Sequence, residues 1–168
     1  MKNKGFTLIE LIVVFTIIGL LSSISIQSFI DYNRKQKLDA TANTLTTVLT
    51  TARSRAQSQV KPSGSPCSTN ALDGYRILFS CVGGGCQSSP VAYYQVYAVC
   101  QTQLQSIPNS KVNIPSEVSV SVSTGTFTFR VITGSVVEAV DAGSTAVFTS
   151  YGRSKTVRVF RDSRVRVE

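Results

Sequence analysis

Three sets of residues in this chain carry chemistry. Glu10 stands alone in an apolar run over residues 6–26, cysteines fall at 67, 81, 86 and 100, and six of the seventeen Lys/Arg lie in the last sixteen residues. A carboxylate at the centre of a membrane helix costs about 2.5–3.5 kcal/mol on insertion scales, so it needs a purpose and a cationic partner. No Lys or Arg lies within the run, so the partner is a group of another chain, for which a free α-amino group is suited. The plainer alternative is a side chain that reaches the interface from near the helix end.

The cysteine positions are mirror symmetric, since 67 and 100 flank 81 and 86 at equal distance. A hairpin centred on Gly83-Gly84 faces Cys81 to Cys86 and brings Cys67 near Cys100, a nested pair of disulfides among the three connectivities that four cysteines allow. A four-thiolate zinc site needs two short Cys pairs, which this spacing lacks. No metal and no cofactor is therefore expected.

The basic tail has its own geometry. A three-residue loop of Arg161, Asp162 and Ser163 pairs Val159 with Val165 and Val157 with Val167. It sets Arg158 opposite Arg166 on the other face, beside Phe160 and Arg164. A two-residue loop would mix Val and Arg on both faces, and burial selects against that register. The outcome is an outward basic stripe. It is either a solvated sheet face or a surface for phosphate contact, with Arg158, Arg164 and Arg166 as the candidate DNA contacts.

The rest of the composition excludes most catalysis. The chain of 168 residues has no His and no Trp, and its nine Asp/Glu are scattered. Without an imidazole or a close carboxylate pair, general acid–base chemistry has no carrier, and no enzymatic function is expected. Hydrophobic residues at 42% against 15% charged also exclude a disordered chain.

These residues need elements to position them. The twenty-one residues of the run at 6–26 as a helix span about 31 Å, the thickness of a bilayer core. Lys2 and Lys4 precede the run, which predicts a cytoplasmic N-terminus and an exported remainder. Cleavage near Ser22-Ser23 as an ordinary signal is the alternative, but the pattern runs on unbroken. Beyond the charged stretch at 31–37, Leu38, Ala42, Leu45, Leu49, Ala52 and Ala56 recur at helical steps of four and three, ahead of the breaker Lys61-Pro62-Ser63-Gly64-Ser65-Pro66. Many Thr flank that stripe, so the helix must draw its stability from packing. Strand patterns follow over 75–80, 91–100, 117–122, 126–132, 136–140, 145–149, 155–160 and 164–167, with Gly and Asp turns between them, which predicts antiparallel sheet.

The stretch Lys4-Gly5-Phe6-Thr7-Leu8-Ile9-Glu10 and the apolar segment behind it resemble a type IV prepilin N-terminus. The resemblance implies an α+β pilin-like fold, a cut after Gly5 by a prepilin peptidase, N-methylation of Phe6, and Glu10 as the assembly glutamate. It covers about thirty residues. Gln27 stands near the place where many members carry a kinking Pro, which predicts a straighter helix. The implied organisation is a leader at 1–5, a membrane or filament-core helix at 6–30, an amphipathic helix at 31–60 and an exported β-rich domain at 61–168. Partners would be other pilin or pseudopilin subunits, the peptidase, the inner-membrane assembly machinery and the membrane itself.

Ala52-Arg53-Ser54-Arg55-Ala56 and Phe148-x-x-x-Gly152-Arg153 are similar to the GspH/FimT pseudopilin group. That similarity implies a minor subunit of a type II secretion pseudopilus or a type IV pilus, some members of which bind DNA through C-terminal basic residues. The expected function is a structural subunit. The alternatives are a DNA-binding minor pilin and an exported domain on a plain signal anchor.

Overall fold

The computed structural model describes residues 7–64, 66–81, 90–136 and 144–168. Helix α1 (Leu8–Gln57) is followed by β1 (Leu72–Cys81), β2 (Val91–Cys100), β3 (Gln103–Ser106), β4 (Val112–Asn113), β5 (Ser119–Val122), β6 (Thr126–Arg130), β7 (Ser144–Ser150), β8 (Arg153–Val159) and β9 (Val165–Val167). The architecture is α+β, as the sequence pattern predicts. Two units divide the chain, one ending at Gln36 and one spanning Lys37–Glu168.

In the second unit the helical stripe of Leu38, Ala42, Leu45, Leu49, Ala52 and Ala56 is at most 3% exposed. The Thr residues beside it do not break the helix, because their hydroxyls fold back on backbone carbonyls of the preceding turn. Thr41 donates to Lys37 O (2.8 Å), Thr44 to Ala40 O (2.7 Å) and Thr51 to Thr47 O (2.8 Å). Such hydroxyls are satisfied locally but add little to helix stability, which leaves the buried stripe to hold the segment.

The strands form two antiparallel sheets. The first has the order β3-β2-β1-β6, with β4 also pairing β2; the second has the order β5-β7-β8-β9. Alternation along β1 explains its facing: Tyr75, Ile77 and Phe79 are buried, while Arg76, Leu78 and Ser80 are half-buried on the other side. The inner faces of both sheets and the helix stripe join in one apolar core containing Phe127, Phe129, Phe148, Val120, Val157 and Val159. Gly74 belongs where β1 passes β6, since a Cβ there would stand 2.1 Å from the Phe129 carbonyl oxygen.

Several sequence expectations need correction. Of the strand pattern at 136–140 only Val136 is described, where it makes a bridge to Phe129; 137–140 lie outside the described residues. β3 and β4 were not foreseen. Gln103–Ser106 is largely exposed edge strand, so no apolar alternation announces it. The strands pair antiparallel as expected, and their division into two sheets is one that local patterning does not encode.

Tyr94 of β2 is fully buried, and among the described residues its hydroxyl meets no hydrogen-bond partner. Burial pushes that phenol well above the ordinary tyrosine range. Its ring packs 5.8 Å from that of Phe79. Replacing Tyr94 by Phe keeps the ring and removes the unsatisfied hydroxyl, so Tyr94→Phe is expected to stabilise the domain by about 1 kcal/mol. A raised urea midpoint at unchanged m-value is the confirming result; a lowered midpoint would mean that the hydroxyl has a partner in solution.

Candidate functional sites: the apolar helix and the basic hairpin

The first unit presents an apolar surface with nothing inside it to bury. Every described apolar side chain from Leu8 to Ile30 is exposed, Leu8 and Ile9 at more than 70%. The most apolar window of α1 has a mean hydropathy of 2.4, long and apolar enough to cross a membrane. Thr7 caps the helix: the Glu10 backbone N–H donates to Thr7 Oγ1 at 3.3 Å. Glu10 is thus the third residue of the helix in a Thr-x-x-Glu arrangement, where a carboxylate favours the positive end of the helix dipole. That capping role was legible in the sequence as Thr7-Leu8-Ile9-Glu10 and was missed. Gly5 and Phe6 lie outside the described residues. Where the apolar stretch ends, Arg34 pairs with Asp31 at 3.6 Å.

Cys67 and Cys100 form a disulfide that closes a separation of 33 residues, with Cα atoms 5.3 Å apart. Both are fully buried. Cys67 lies in the turn region between α1 and β1, and its N–H donates to Gln105 Oε1 at 3.2 Å. The bond fastens that connection to the end of β2. Cys81 is also disulfide-bonded, whereas Cys86 and the Gly83-Gly84 turn lie outside the described residues.

The C-terminal hairpin has the register read from its valines. Val157 pairs Val167, Arg158 pairs Arg166, and Val159 pairs Val165. Ser163 ends the three-residue loop with φ at +61°, donating its N–H to Phe160 O at 2.8 Å. A left-handed residue in that position is the common way for a three-residue loop to close. The Arg164 N–H donates to Asp162 Oδ1 at 3.1 Å and its guanidinium meets Oδ2 at 2.5 Å. These contacts hold the Asp162 carboxyl below its usual range.

The basic stripe differs from a row of unengaged cations. Arg158 is half-buried and contacts Glu168 at 3.5 Å, and Arg164 holds Asp162 while lying 5.7 Å from the Phe160 ring centre. Lys155 points to the core side, where it meets Asp39 of α1 at 3.0 Å. Arg166 is exposed, and among the described residues no carboxylate pairs with it. A residue that the sequence offered only as part of the 52–56 helix end, not as a contact, joins this group. Arg53 on α1 is half-buried, and its Nη1 donates to the Ser163 carbonyl at 3.3 Å. Arg53, Thr50, Phe160, Ser163, Arg164 and Arg166 line a groove of about 600 Å³ between the helix and the hairpin. Sequence separation of more than a hundred residues hid this meeting.

Among the described residues, no group of His, Cys, Asp or Glu could hold a metal ion. No curated protein and no solved structure matches the chain. Residues 1–26 match the family model for the prokaryotic N-terminal methylation motif. That match takes in most of the exposed apolar part of α1, so the chain carries the N-terminal signature of type IV pilin-like proteins ahead of an α+β arrangement of one long helix and antiparallel sheets.

Proposed function

We propose that this protein is a minor structural subunit of a type IV pilus or a type II secretion pseudopilus. The leader ends at Gly5, a prepilin peptidase cuts there, and the new N-terminal Phe6 is methylated. The chain waits in the inner membrane with its N-terminus in the cytoplasm and its C-terminal domain outside. Assembly machinery then moves the apolar helix from lipid into a filament of pilin-like subunits. There the Glu10 carboxylate meets the Phe6 amine of a neighbour. The carrying observation is that every described apolar side chain from Leu8 to Ile30 is exposed, in a stretch that the methylation motif largely covers. Such a face needs lipid or like helices around it. Cys86, the one cysteine of the chain left over, would be the partner of Cys81 in the exported domain.

The reading in which Arg158, Arg164 and Arg166 contact DNA has less support, since carboxylates already hold two of those three cations. Mass spectrometry of membrane-extracted protein tests the processing step. The expected N-terminus is Phe6 carrying one methyl group. An intact Met1 would leave a plain anchored domain, and cleavage near Ser22 would leave a secreted one.

A further inference from the structure

The groove between α1 and the C-terminal hairpin has a second wall that accepts hydrogen bonds. β9 is the last strand of its sheet, with no described strand on its far side. Thr156 and Glu168 exchange both backbone bonds at 2.9 Å, and the Phe160 N–H donates to Arg164 O at 2.9 Å. In an antiparallel ladder such pairs alternate, so Arg164, Arg166 and Glu168 turn their backbone groups toward β8. Val165 and Val167 therefore turn theirs outward, to the open edge. Arg164 and Arg166 stand two residues apart on this edge, about 7 Å along the strand. Arg53 and Thr50 of α1 line the same groove.

We propose that this groove receives an extended acidic segment of a neighbouring subunit, which adds as a strand to the edge of β9 and sets its carboxylates against Arg166 and Arg53. The identity of the neighbour as a filament subunit rests on the function proposed above; the chemistry of the groove does not. Charge selects the partner, because Arg53 and Arg166 meet no carboxylate among the described residues. Shape selects a peptide over a nucleic acid. Alternating backbone donors and acceptors at Val165 and Val167 match another strand, as in peptide recognition by strand addition. A second copy of this chain is a poor donor, since it carries only nine acids against seventeen bases.

The test is a titration of the detergent-solubilised full chain with a capped hexaglutamate peptide, with hexalysine and a twelve-base-pair DNA duplex as comparisons. Hexaglutamate should bind and slow amide exchange at Val165 and Val167 more than at Arg164 and Arg166. Arg53→Gln should weaken binding about tenfold, as loss of a half-buried charge-assisted bond does, and the exposed Arg166→Gln about threefold. Arg166→Gln removes no core contact, so it keeps the test valid if Arg53→Gln folds poorly. Unchanged exchange at Val165 and Val167, or duplex DNA binding more tightly than the peptide with the same two variants weakened, would overturn the proposal. Peptide binding to a chain whose N-terminus proves unprocessed would uphold the groove and overturn only the filament reading.

Discussion

Replacing Cys67 and Cys100 together by Ala is expected to lower the stability of the β-rich domain by about 3–4 kcal/mol. The bond closes a separation of 33 residues, and the chain-entropy model assigns a loop of that size roughly this cost. It also ties the segment after α1 to the end of β2, two parts with little other means of staying together. Gln105 supplies some of that means, since its side chain bonds both Cys67 N–H and the Ser63 carbonyl, the latter at 2.9 Å. Both sulfurs are buried, so Ala also forfeits packing. Urea unfolding of the full chain in detergent measures the effect. A loss under 1 kcal/mol would show that the unfolded chain is already constrained, or that the Gln105 contacts suffice. Removing the Cys81 bond should cost roughly 1–2 kcal/mol less if it closes on Cys86, because that loop is only about five residues long.

The second large effect is on assembly. Glu10→Val should insert into the membrane and be cut after Gly5 normally, then fail to enter filaments. The helix cap survives, because the bond to Thr7 Oγ1 comes from the backbone N–H at position 10 and not from its side chain. Valine is also cheaper than glutamate in lipid. Under the proposed pairing, what is lost is the anion opposite a neighbour's Phe6 amine. Stranding one member of a buried pair commonly costs about 3–5 kcal/mol, which corresponds to two to four powers of ten in an incorporation equilibrium. Tagged wild-type and mutant chains, expressed together and counted in sheared filaments, give the ratio directly. Equal incorporation would mean that Glu10 serves only the helix end, where a carboxylate is favourable for local reasons.

Local chemistry made much of this protein readable without coordinates. The stripe from Leu38 to Ala56 announced a buried helix face because one helical period places all six residues on one side. The C-terminal hairpin was readable to the residue, since only one loop length puts Val157, Val159, Val165 and Val167 on a common face. The methylation motif was readable as a resemblance carried by Lys4–Glu10 and the apolar segment behind it, and residues 1–26 match the family model. The strands at Gln103–Ser106 and Val112–Asn113 were not, because short, mostly exposed edges bury too little to leave a pattern. Charge was the least legible property. Arg158, Arg164 and Arg166 read as one stripe partly offset by Asp162 and Glu168, but which base each acid holds is set by the loop turn at Asp162 and by side-chain reach from Arg158 to Glu168 across the hairpin.

The sequence by itself determined the apolar anchor, its lone carboxylate, the helix stripe and the hairpin register, since each depends on residues within one element or one turn. Only the tertiary structure decided the division into two sheets and the meeting of Arg53 with Ser163, Arg164 and Arg166. Those depend on which distant faces bury each other, and periodicity states that a face must be covered without stating by what.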